Sequence, residues 1–287
     1  MPLPARESAR AAGAHDRLGP SITPLAFKTF FNGQLLLPYA DEVASYVQTL
    51  GKPVDRIILS HTDHWSSGSD RAFPDARVFA LDGVADQVCA RGPARLDSLR
   101  RIYGDKIATK VTVPTETITE GLQRIDGVTY DFKQLVDAES DLQLAALLPE
   151  QKVLMAFDLV FSPNERAFTV VDRFDHWMII LELLKALQGY DTITIGHDAP
   201  VHRSAIDRTI TYVKRAKEIH AASADAKTYS KSLKAAFPTG TDRLGRFSPP
   251  GFFTARASEA WAALGQDFPL VTPGAVITIP VEQIQGK

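Results

Sequence analysis

The stretch IILSHTDHWSSG, Ile57–Gly68, constrains the fold more than any other: an apolar run breaks directly into His61, Asp63 and His64. A short run rich in β-branched residues reads as a buried strand, and the polar segment as the loop leaving its C-terminal end. Upstream, DEVASYVQTLG places Val43, Val47 and Leu50 at helical spacing, with Asp41 suited to cap the start and Gly51 the end. Downstream, ARVFAL reads as another short strand after the turn FPD, and DGVADQVCARG as a helix. Strand, helix and strand in alternation predict layered α/β structure with the polar loop at a strand end.

Ahead of this unit, SITPLAFKTFFNGQLLLPY presents two apolar runs about Asn32–Gly33, which predicts a hairpin. From Lys110 onward the pattern turns to consecutive strands. LQRIDGVTYDFKQL carries Asp126–Gly127 between alternating segments, and LQLAALLPEQKVLMAFDLVF offers two apolar strands about a Pro-containing turn. FDHWMIILELLKALQGY then predicts a largely buried helix ending near Gly189, and DTITIGHDAPV a strand running into a loop. Ser204 can open a helix through AIDRTITYVKRAKEIHAA, with Ile206, Ile210, Val213 and Ile219 on one face, and YSKSLKAAF a shorter one. These elements predict two β-rich layers flanked by helices.

With 45% hydrophobic and 23% charged residues in 287, the chain has the composition of a soluble protein with a core. Its formal charge of -2, without a long Lys/Arg block, gives no basic field for a phosphate backbone, so nucleic acid is not an expected partner. No apolar run approaches the roughly 20 residues of a membrane span, and the opening segment MPLPARESARAAGAHDRLGP lacks the apolar core of a signal peptide. The expectation is a soluble, cytoplasmic protein. Cys89 has no cysteine to pair with and falls in a helical stretch, where a small packed side chain is expected.

Four loops hold the chemically useful side chains: His61, Asp63 and His64 after one strand, Glu139 before another, Asp158 after a third and His197 after a fourth. Imidazole and carboxylate are the usual ligands of zinc, manganese and non-haem iron, and strand-end loops can bring distant ligands together. Each element alone has a plainer reading. HTDH can be a turn whose Asp caps backbone N–H groups, Asp158 a strand-end hydrogen-bonding residue and His197 a partly buried histidine. The combination, in this order and at strand ends, points to a metal site. His176, beside Trp177 at the start of a buried helix, reads as a packing residue, and His202 as a neighbour of the site or a solvent-exposed residue. His15 and His220 read as arm and helix-surface residues.

The order of these motifs resembles the metallo-β-lactamase superfamily, the αββα metallo-hydrolases that include glyoxalase II-like and lactonase-like enzymes. IILSHTDHWSSG is similar to the family's strand followed by His-x-His-x-Asp-His and a glycine. KVLMAFDLVF resembles its Gly-Asp strand end and TITIGHDAPV its Gly-His loop, over roughly residues 25–205. The resemblance implies an α/β (α+β) fold, a four-layer αββα sandwich over 21–221. Residues 1–20, rich in Ala, Arg, Gly and Pro without an apolar period, read as a flexible arm, and 222–287 as a helical extension. The Gly/Pro-rich PTGTDRLGRFSPPGFF of that extension can be a lid or a plain surface connection.

Carried over residue by residue, the resemblance assigns Asp63, His64 and His197 to one metal and Asp158 to the bridge between two. His61 with Glu139 makes a second, weaker set. Glu139 stands near the position of a ligand histidine, as in the related alkylsulfatase branch, and Asp137 is a less favoured substitute. Three features depart from the pattern. One motif histidine is missing, so that either Leu59 stands in its place or two residues are deleted; Phe157 replaces the usual Gly before the Asp; and the early strand-end Asp-x-Gly has its nearest counterpart in LLLPYADE.

What the family implies is a hydrolase of an ester, thioester, lactone or amide that uses metal-bound hydroxide, with Asp63 a ligand and orienter of the water. One or two ions are expected, zinc first, with Mn2+ or Fe2+ as the other candidates. Two further readings stay open on the same residues: a degenerate relative that keeps the fold and binds through its pocket, and a non-haem iron oxygenase or redox protein. Trp65 and FSPPGFF can supply an apolar wall beside the site.

Overall fold

The apolar runs of the N-terminal half lie side by side in parallel. In the computed structural model, which describes residues 28–62, 72–162, 165–166, 173–238 and 241–242, they are β1 (Lys28–Phe31), β2 (Val54–Ile58), β3 (Arg77–Leu81) and β4 (Glu116–Ile118). They form a four-stranded sheet in that order. Parallel neighbours need crossover connections. Helix α1 (Leu37–Thr49) supplies one between β1 and β2, and α2 (Val84–Tyr103) another between β3 and β4.

The second sheet comprises β5 (Gly121–Ile125), β6 (Val128–Val136), β7 (Leu142–Leu148), β8 (Val153–Phe157), β10 (Thr192–Ile195) and β11 (Val201–His202). Its order is β11-β10-β8-β7-β6-β5. Asp126 and Gly127 both take positive φ, 51° and 83°, and join β5 to β6 in the two-residue hairpin that Asp-Gly favours. The β8–β10 pairing is parallel, and α3 (Phe174–Ala186) makes its crossover. A separate pair, β9 (Glu165–Arg166) with β12 (Thr241–Asp242), lies apart from both sheets, while α4 (Ala205–Ala221) and α5 (Ala226–Ala236) complete the order.

Strand β7 shows how the layers stack. Leu142, Leu144, Ala146 and Leu148 join Ile57, Ile58, Phe79 and Phe132 in the core between the sheets. Ala145 and Leu147 face the other way, beneath Trp177 and Leu181 of α3 and Val213 of α4; Tyr229 and Leu233 of α5 extend this second core. A strand covered on both faces carries a continuous apolar run rather than an alternation. Helices α1 and α2 cover the first sheet through Val43, Val47, Val84 and Val88. The layers are therefore α, β, β, α, as the motif order implies.

Three local readings need correction. Asn32–Gly33 does not close a hairpin: β1 pairs in parallel with β2, and Asn32, at φ 58°, turns the chain out of the sheet toward α1. Asp41 does not cap α1, which starts at Leu37 with Pro38 in its first turn, where a missing N–H costs nothing. Cys89 is exposed on α2 rather than packed, because the buried stripe of that helix falls on Val84, Val88, Gly92 and Leu96. Among the described residues no helix is long and apolar enough to cross a membrane.

Candidate metal centre

The segment leaving β2 is tied to both sheets before it reaches His61. Leu59 N–H donates to the Phe79 carbonyl at 2.8 Å, within the first sheet. Ser60 N–H donates to Asn32 Oδ1 at 2.7 Å, at the end of β1. The Ser60 carbonyl accepts from Leu144 N–H of the second sheet at 2.7 Å, and His61 bridges antiparallel to Gln143. His61 is fully buried. Its Nδ1 lies 2.9 Å from Ser60 Oγ, which orients the ring and leaves Nε2 directed at two carboxylates.

Glu139 comes from the turn between β6 and β7. Asp137 N–H donates to the Asp141 carbonyl at 3.1 Å and Ala138 N–H to that of Ser140 at 3.2 Å, so the turn closes on itself. Asp141 anchors it from outside. Its carboxylate accepts from Arg91 of α2 at 2.5 Å and from Arg173 just before α3. Partial burial raises the Asp141 pKa, but the hydrogen bonds and charges of Arg91 and Arg173 outweigh that and hold it below the ordinary carboxylate value.

Asp158 follows β8, where the ladder to β10 slips by one residue: Thr194 faces Met155 but Ile195 faces Phe157. Phe157 takes φ 48°, and its carbonyl accepts from Gly196 N–H at 3.0 Å. This turns the buried Asp158 carboxylate inward across the end of β10. A Cβ on Gly196 would stand 1.7 Å from Asp158 Oδ1, so the carboxylate occupies the space that any other side chain there would take. Gly196 is required by close approach, not by its backbone angles.

His61 Nε2 lies 3.6 Å from Asp158 Oδ2 and 3.8 Å from Glu139 Oε2. Ligand atoms of these three residues all fall within 4.8 Å of one another. A tetrahedral ion with bonds near 2.0–2.2 Å spaces its donors by roughly 3.3–3.6 Å. One imidazole and two carboxylates at these separations, with His61 and Asp158 buried and Glu139 half-buried, converge from three segments and fit a divalent cation. His197 Nε2 approaches the same Asp158 oxygen at 3.4 Å, with its side chain 43% exposed. The same Asp158 oxygen therefore meets both His61 and His197.

No family model matches the sequence. Nor does any curated protein match it by sequence. Solved structures do match by shape. The metallo-beta-lactamase from Pontibacter korlensis superposes with a TM-score of 0.55 at 13% identity, over 67% of this chain and 84% of that one. A metallo-beta-lactamase family protein from Thermus thermophilus gives 0.52 at 18% identity, over 85% and 88%. The chain has the metallo-β-lactamase fold. A double mutant of the sec-alkyl sulfatase PisA1 gives 0.50 at 18% identity, over 82% of this chain but 50% of the larger one.

Within the metallo-β-lactamase fold the described donors are His61, Glu139 and Asp158 as one group, with His197 beside it. Asp63 and His64, which the resemblance groups with His197, lie outside the described residues, as does Trp65. Leu59 is buried in the inter-sheet core and supplies packing at a position where the gapless alignment expects a ligand. The early strand-end segment also lies elsewhere than LLLPYADE, which belongs to α1; the strand end that reaches the site is Asn32–Gly33. Its Asn-Gly dipeptide was the available signal, and it points equally well to a hairpin. His176 is half-buried, with Nδ1 3.3 Å from the Asp137 carbonyl, and lines a shallow cavity of about 370 Å³ with Asp137, Arg173 and Asp175. His202 is exposed, its Nδ1 3.2 Å from Ser204 Oγ.

Proposed function

We propose that this protein is a metal-dependent hydrolase of a small-molecule ester, thioester, lactone or amide. The observation that carries the reading is the convergence of buried His61 and Asp158 with half-buried Glu139. Carboxylates drawn out of water beside one another are costly to hold together unless a cation or protons compensate them. His61 Nε2, Glu139 and Asp158 would hold one ion, and His197 with Asp158, joined by Asp63 and His64, a second. A bound divalent cation supplies Lewis acidity, which polarises a carbonyl and makes a nearby water acidic enough to act near neutral pH.

The chain's own residues do the positioning. Ser60 Oγ holds the His61 ring through Nδ1. The Asp141 clamp holds the turn that carries Glu139, and Gly196 leaves the space that Asp158 fills. Asp63 is proposed to orient the attacking water as well as to bind. The likeness to a sec-alkyl sulfatase, together with a glutamate in the donor set, adds sulfate esters to the substrates worth screening.

The test is metal content by elemental mass spectrometry on protein purified without chelator, beside an Asp158→Ala variant and a screen of esters, thioesters, lactones and sulfate esters. The expected result is one or two equivalents of zinc, manganese or iron, lost in the variant, with hydrolysis that follows the metal. A wild-type protein that takes up no ion after reconstitution would overturn the hydrolase and leave the binding-protein reading of the same pocket. Iron with oxygen-dependent turnover would favour the oxygenase reading instead.

A further inference from the structure

We propose that Gln143 is a further donor of this centre, its amide oxygen joining His61 Nε2, Glu139 and Asp158 around a divalent cation. The proposal rests on the metal reading above and extends its donor set to a residue type that motif patterns of imidazole and carboxylate pass over.

Gln143 is the polar residue in β7, whose sequence is otherwise apolar, LQLAALL. It is fully buried, and among the described residues neither the oxygen nor the nitrogen of its amide has a hydrogen-bond partner. An unsatisfied buried amide costs about 1–3 kcal/mol. Packing alone gives this strand no use for it, since Ala145 and Leu147 fill the same face of the strand at no such cost.

Its location points to a use. Gln143 stands directly opposite His61 in an antiparallel bridge, and the 2.7 Å bond from Leu144 N–H to the Ser60 carbonyl holds that register. Directly opposed residues send their side chains to the same face, with Cβ atoms roughly 4.5–5.5 Å apart. The face in question is the one on which the His61 ring meets Glu139 and Asp158. Glu139 lies on the turn that feeds the same strand, four residues earlier.

The chemistry agrees with the placement. Two carboxylates already balance a dication, so a neutral oxygen donor adds a ligand without a further charge to be held in the metal-free protein. One nitrogen and three oxygens form a harder donor set than several imidazoles, and such a set accepts manganese or iron beside zinc. It also supplies a fourth protein donor to a site in which the sequence pattern lacks a histidine.

The test uses the full chain stripped with chelator, titrated by calorimetry with Zn2+ alone and with Mn2+ alone, for wild type, Gln143→Leu and Gln143→Glu. The melting temperature of each metal-free protein is measured in parallel. For Gln143→Leu the expected result is binding weakened about tenfold or more for both ions, with a metal-free melting temperature unchanged or raised. Gln143→Glu, which keeps an oxygen, should hold binding near the wild-type level or tighten it. Wild-type affinity in Gln143→Leu overturns the proposal and leaves the metal reading standing. A metal-free Gln143→Leu that melts several degrees lower does so too, because the amide would then serve the fold. Equal weakening in Gln143→Glu would assign the effect to the amide nitrogen and overturn the donor role. Failure of the wild type to bind either ion overturns both readings.

Discussion

Phe157 holds φ 48° at a position where a glycine would be unstrained, and it is buried with its ring 5.8 Å from that of Phe31. The left-handed conformation costs a side chain about 1–2 kcal/mol, whereas removing a buried Phe costs about 3–5 kcal/mol. The ring wins, which is why a bulky residue persists there. Phe157→Ala is expected to lose the packing and keep the strain, while Phe157→Gly loses the packing but sheds the strain. The glycine variant should therefore melt about 2–4 °C above the alanine variant, the reverse of the usual order; an alanine variant melting higher would show that the backbone is not strained. Gly196 makes the complementary prediction. Gly196→Ala must displace the Asp158 carboxylate, since its Cβ would lie 1.7 Å from Oδ1. The variant should remain folded by circular dichroism yet bind zinc at least about tenfold more weakly.

Turns and strand ends, rather than whole strands, set the precision of the centre. The turn between β6 and β7 is pinned by Asp141, whose two arginine partners come from α2 and from the segment before α3. Because the folded pKa of Asp141 is depressed, its contribution to stability is complete above the unfolded value near 3.9 and drains away as the pH falls below it. Melting temperature should accordingly fall between about pH 5 and pH 2, and Asp141→Asn should flatten that decline. A variant with the wild-type acid slope would remove Asp141 from the account. At the end of β1, Asn32 satisfies the buried Ser60 N–H. Asn32→Ala leaves that donor without its acceptor and puts at φ 58° a residue that tolerates the left-handed region less well than asparagine. A loss of about 1–3 kcal/mol is expected in chemical denaturation; a loss under half a kcal/mol, roughly the surface-substitution range, would mean that water replaces the side chain.

Across the whole molecule the candidate centre joins the two sheets. His61 follows a strand of the first sheet, while Glu139 and Asp158 flank strands of the second. A cation held by all three cross-links the halves of the sandwich and binds the folded state alone. At a free-ion concentration a hundred times Kd, linkage adds about 2.7 kcal/mol, which corresponds to a rise of about 5–10 °C in melting temperature for a domain of this size. Chelator should reverse the rise. A melting temperature indifferent to zinc, manganese and iron would be incompatible with a site spanning both sheets.

Patterns confined to neighbouring residues were legible in the chain. Apolar runs predicted strands that include β2, β3, β7, β8 and β10, Asp126–Gly127 predicted its hairpin, and the succession of elements predicted two β-rich layers flanked by helices, because burial period and turn chemistry are local properties; the αββα arrangement itself was what the family resemblance implied. The side chains that come together, His61, Glu139 and Asp158, were also nameable as candidate ligands, because few side chains can bind a cation. What their spacing could not convey was grouping and support. The Asn-Gly dipeptide is compatible with a hairpin or with a turn out of a parallel strand, and only the pairing of β1 with β2 chooses. Gly196, Asp141 and Gln143 lie far in sequence from the groups they face. A clash with Asp158, a clamp on the Glu139 turn and a place opposite His61 exist only once distant segments are packed, since each depends on distances across the sandwich rather than on positions along the chain.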